Sequence, residues 1–109
     1  MKLEITALND KGYLFKENLC IKVVKDCNLS EYKVHIKNAT GDETVYRSQK
    51  NYKFESVKVK KGDVIYLHTD EGTNTKKVNK VTASEYNFYW GLQDAVWGHK
   101  TNSPALSEV

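Results

Sequence analysis

The sequence predicts an all-β domain, a two-sheet sandwich or a small barrel, and three observations carry the prediction. Apolar and polar residues alternate with a period of two in several short stretches, the pattern of half-buried strands. Clusters of Gly, Asn, Asp and Ser punctuate those stretches as turns do. No apolar repeat with the 3.6-residue period of a helix is sustained anywhere. The seven Tyr, two Trp and three Phe fit the same class, because aromatic side chains suit a pleated surface.

The elements follow in order. Leu3 to Ala7 alternates, and Asn9 to Tyr13 is rich in turn formers. Asn18 to Val24 places Leu19, Ile21 and Val23 on one face, and Lys25 to Glu31 reads as a connection. Tyr32 to Asn38 sets Tyr32, Val34 and Ile36 against Lys33, His35 and Lys37. A turn over residues 38–43 leads to a short strand over residues 44–47. In Tyr52 to Val59 the apolar parity changes between Phe54 and Val57, which a regular strand cannot accommodate, so a bend is expected near Ser56. Lys60 to Asp63 turns the chain into Asp63 to Thr69, whose two faces are both partly apolar, the mark of a central strand. Asp70 to Ser84 is polar, with Val78 and Val81 its only sizeable apolar residues, and is expected to be a mobile connection. Glu85 to Gly91, Ala95 to Gly98 and a last strand over Ala105 to Glu108 complete the chain. The expected core is Leu19, Ile21, Val34, Ile36, Ile65, Leu67 and Trp90.

Length and charge limit the function classes. A chain of 109 residues and 12.5 kDa supports a single domain over residues 1–109. No apolar stretch is long enough to cross a membrane, so no membrane insertion is expected. The N-terminus lacks an apolar run of signal-peptide length, which implies a cytoplasmic protein if the chain is full length and an exported one if a leader was trimmed. A net charge of +3 is small for a dedicated nucleic-acid binder. Its lysines cluster at Lys58, Lys60 and Lys61 and again at Lys76, Lys77 and Lys80. Lysines of this kind solvate outward faces and guard sheet edges; the sharper alternative is a phosphate-binding patch.

Catalytic chemistry finds little support. Cys20 and Cys27 form no C-x-x-C pair, which excludes zinc held by cysteines alone; free thiols are expected, with a disulfide as the alternative if residues 20–27 fold back as a tight turn. His35, His68 and His99 are scattered. There is no G-x-S-x-G elbow, Walker loop or G-x-G-x-x-G. Asp63, Asp70 and Glu71 sit in ordinary turn chemistry. The expectation is a non-enzyme with no cofactor and no metal. Aromatic side chains crowd the C-terminal third, and an exposed row of them would stack on sugars or bases.

The segments "KKGDVIYLHTDEGTNT" and "FYWGLQDAVWGHKTNSPALS" resemble the C-terminal half of the lamin tail domain as bacterial proteins carry it. A Gly-containing turn precedes an alternating strand, then come a Gly-Thr-Asn loop, a Tyr-Trp-Gly segment and a Val-Trp dipeptide. "NLSEYKVHIKNATGD" resembles an earlier strand of the family. The resemblance runs from about Asn18 to Leu106, and Tyr89, Trp90, Gly91, Val96 and Trp97 are its most specific part. It implies an immunoglobulin-like β-sandwich of about 7–9 short, mainly antiparallel strands. It also implies that Trp90 and Trp97 serve the core.

The functional expectation is a non-catalytic interaction module that binds another protein through a sheet face, an edge or the 70–84 loop. A nucleic-acid-binding or carbohydrate-binding module is the alternative. The candidate ligand contacts are Lys76, Lys77, Lys80, Lys58, Lys60, Tyr86 and Trp97.

Overall fold

The computed structural model describes residues 1–38, 51–78, 81–98 and 102–109. These residues form an all-β sandwich of ten strands. The five-stranded sheet has the order β1 (Leu3–Asn9), β2 (Asn18–Val23), β7 (Val64–His68), β9 (Glu85–Tyr89) and β8 (Thr75–Lys77). The second sheet has the order β10 (Asn102–Glu108), β4 (Tyr32–Asn38) and β5 (Asn51–Lys53). A short ladder joins β3 (Cys27–Asn28) to β6 (Lys58–Val59). Every pairing is antiparallel except that of β7 with β9. The expected turn over 38–43 and strand over 44–47 lie outside the described residues.

The period-two pattern determines which side chains meet inside. Leu19 lies opposite Leu67, and Leu67 opposite Phe88; Ile21 lies opposite Ile65, and Ile65 opposite Tyr86. These two rows face Tyr32, Val34 and Ile36 of the other sheet, and all are buried in one apolar cluster. A core residue here contributes on the order of 2–5 kcal/mol against truncation to Ala. The expected core holds except at Trp90, which is half-buried and packs on the cluster from outside. Trp97 takes the enclosed position instead, with its ring 6.2 Å from that of Trp90.

The parity change after Phe54 is resolved by a bend at Ser56 between β5 and β6. Asn28 stabilises that bend. Its side-chain oxygen accepts from the Val57 and Ser30 backbone N–H groups, and its amide nitrogen donates to Ser56 Oγ. The Lys25–Glu31 stretch, expected as a plain connection, therefore contains β3 and one 3-10 turn over Leu29–Glu31.

The expectation of a mobile connection over Asp70 to Ser84 is corrected. Residues 75–77 form β8, paired with β9. Gly72 packs directly on the Tyr89 ring, where a Cβ would clash. Asn74 Oδ1 accepts from the Tyr89 backbone N–H at 2.9 Å, and Asn74 Nδ2 donates to Glu55. The apolar content of the stretch misled because backbone and amide hydrogen bonds hold it, with little burial. Val78 and Val81 do remain exposed.

Candidate functional site

The turn Lys60 to Asp63 builds one bank of a cleft. Gly62 has φ of +95°, the left-handed conformation that a type II turn needs at its third position. The Asp63 N–H closes the turn on the Lys60 carbonyl at 3.0 Å. Asp63 is buried, and its carboxylate fixes both banks. Oδ2 accepts from the Lys60 N–H and Oδ1 from the Ser84 N–H, each at 2.9 Å.

Between this bank and β8 lies a cleft of about 630 Å³. Lys58, Lys60, Lys61 and Lys76 line it, and Tyr86 forms its floor. Among the described residues Asp63 is the only carboxylate on its wall, and both of its oxygens are engaged as above. The cleft therefore carries a local excess of positive charge that the mild net charge of the chain hides.

Lys76 occupies an unusual place. It lies opposite Tyr86, so it extends the inward-facing row of Ile21, Ile65 and Tyr86 onto the edge strand. Its Nζ sits 5.3 Å from the centre of the Tyr86 ring, a cation–π contact. A smaller recess of about 150 Å³ continues from the same two residues toward Val57 and Phe88, with Glu55 and Asn74 at its rim. The two recesses share Lys76 and Tyr86 and together follow β8 on one side and residues 55–60 on the other.

The structure thus brings together four of the candidate contacts, Lys58, Lys60, Lys76 and Tyr86. Lys61, part of the first lysine cluster, joins them. Lys77 does not take part: it lies opposite Glu85 on the outer face. Lys80 lies outside the described residues. Trp97 as a ligand contact is corrected, because only 2% of its surface is exposed. Tyr86 is only 4% exposed, so it can offer an edge of its ring but no free face for stacking.

Sequence reasoning missed Glu17, which is fully buried. Oε1 accepts from the Gly12 N–H at 3.0 Å, while Oε2 accepts from Thr69 Oγ1 and from the Val96 N–H at 2.9 Å. One carboxylate therefore ties the first turn, the end of β7 and the Val96–Trp97 segment together. A polar residue beside a turn gave no sign of this, since its partners are distant in sequence. Among the described residues, no group of three His, Cys, Asp or Glu side chains is placed to hold a metal ion. Cys20 and Cys27 are free thiols. Burial, reinforced by Glu31 and Asp26 and partly opposed by Lys2, pushes the Cys27 thiol up and lowers its thiolate fraction.

Comparison of the chain with protein-family models, curated proteins and solved structures returned no match.

On the outer face of the five-stranded sheet, His68 and Tyr89 stack on each other at 4.6 Å with their planes 15° apart. His68 Nε2 lies 2.8 Å from Asn87 Oδ1. Rings stacked on one another across neighbouring strands point their edges outward, which suits a sugar platform poorly.

Proposed function

We propose that this domain is a non-catalytic interaction module that binds another protein through the lysine-lined cleft between residues 58–62 and β8. The observation that carries the reading is the convergence of the Lys58, Lys60 and Lys61 cluster with Lys76, which is distant in sequence, on one cleft whose only described carboxylate accepts hydrogen bonds from both banks. Four ammonium groups around one cleft favour an acidic partner and raise its rate of encounter. The lamin-tail resemblance supports the same class of module in an immunoglobulin-like sandwich. The packing of Gly72 on Tyr89 and the buried Val96–Trp97 pair give its motif residues coherent structural roles. Nucleic acid is the weaker reading, because the aromatic side chain in the cleft lacks the exposed face that base stacking uses.

The test is selection of a peptide library on the folded domain, with oligonucleotides and a glycan array as parallel probes. The reading expects acidic peptides to be enriched and the variant K58E/K60E/K76E to bind them at least about tenfold more weakly, since several exposed charge pairs are reversed at once. Tight oligonucleotide binding with a steep salt slope, and no peptide enrichment, would replace it with a nucleic-acid module.

A further inference from the structure

We infer that the cleft accepts its partner as an added β-strand, an extended segment that pairs with the outer edge of β8, acidic at one end and apolar at the other. The inference rests on the protein-binding reading above and deepens it.

Three observations converge. Among the described residues β8 ends the five-stranded sheet and pairs with β9 alone, so the backbone groups along its other edge have no strand partner among those residues. The groove runs along that strand, with residues 74–78 contributing one bank and residues 55–60 the other. An extended peptide satisfies such an edge with its main chain and selects by alternate side chains.

The groove is also polarised. Lys58, Lys60, Lys61 and Lys76 surround its wider end. The narrower end is floored by Val57 and Phe88 and carries Glu55, which repels acid there. A recess of about 150 Å³ is the size that accepts a benzene-sized group. β8 runs from the apolar end at Thr75 toward the lysine end at Lys77. A segment added antiparallel to it would place its acidic residues first and its apolar side chain after them.

The experiment uses a blocked heptapeptide, Glu-Asp-Glu-Val-Thr-Val-Thr, titrated onto the intact domain by isothermal calorimetry. Two further versions carry N-methyl groups on alternate amides, one version on each of the two alternating sets, so that each removes the donors along one edge of the peptide. A fourth peptide has the order reversed. The expected result is binding by the parent and by one methylated version, with about tenfold weaker binding by the other, because only one edge faces β8. The reversed peptide should also bind about tenfold more weakly, as its acids then meet Glu55. The variant Lys76→Glu, checked for fold by circular dichroism, should weaken the parent similarly. Equal binding by both methylated versions would overturn strand addition while leaving the cleft as a protein-binding site. Parent binding that is indifferent to Lys76→Glu would overturn both readings, and no parent binding at millimolar concentration would overturn the inference alone.

Discussion

Glu17 joins three segments that are distant in sequence: the first turn, the end of β7 and the Val96–Trp97 segment. Its buried carboxylate receives N–H groups from Gly12 and Val96 and the Thr69 hydroxyl. Replacing Glu17 by Gln keeps the shape and turns an amide donor toward other donors. The expected loss is about 3 kcal/mol, because buried partners are left unpaired. It should appear as a lower urea midpoint with an unchanged slope. Tyr52 gives a second prediction at this scale. Burial, then the Glu55 charge, raises its phenol above 10.0, against a smaller opposing effect of the Asn74 hydrogen bond. The folded state thus favours the neutral phenol. That contribution is intact below the unfolded pKa and is lost as pH rises through the raised folded value. Urea midpoints measured from about pH 9 to 11 should fall more steeply for the native chain than for Tyr52→Phe, and parallel slopes would refute the assignment. Neither residue's role was legible in the sequence, because each depends on groups brought near by the fold.

At the scale of elements, strands with a clean alternation were legible and those held by hydrogen bonds alone were not. β2, β4 and β7 carry alternating apolar side chains and lie where the pattern puts them. The parity break after Phe54 likewise marked the bend at Ser56. β8 has no buried side chain, so the pattern offered nothing to detect. It exists because β9 supplies a ladder and because Asn74, Gly72 and Lys76 engage Tyr89, Tyr86 and Glu55. Gly72 in particular was suggestive of a turn, whereas its lack of a Cβ is needed for the Tyr89 ring. Replacing residues 75–82 by a short Gly-Ser connector should leave a folded domain that is about 1–3 kcal/mol less stable, from the lost ladder and cation–π contact. Unchanged thermal stability would show that β8 contributes nothing to the fold.

At the scale of the whole molecule, the all-β class and the central rows of the core could be read from periodicity, and the site could be read only as two lysine clusters. The approach of Lys76 to the first cluster required the β7–β9 parallel pairing, which carries the chain back along the sheet and places β8 beside the Lys60–Asp63 turn. Long-range pairing of that kind has no local sequence signal. The same topology separates the cleft from the outer face of the sheet that bears Tyr66, His68 and Asn87, so the two surfaces can be told apart by mapping. The measurement that bears most directly on the cleft as the working surface is a backbone-amide NMR titration of the intact domain with a peptide enriched in the library selection. Shifts confined to residues 57–62, 74–78 and 83–86, and reduced in size as salt rises, are the expected result. Shifts centred on Tyr66, His68 and Asn87, with the lysine cleft silent, would contradict it.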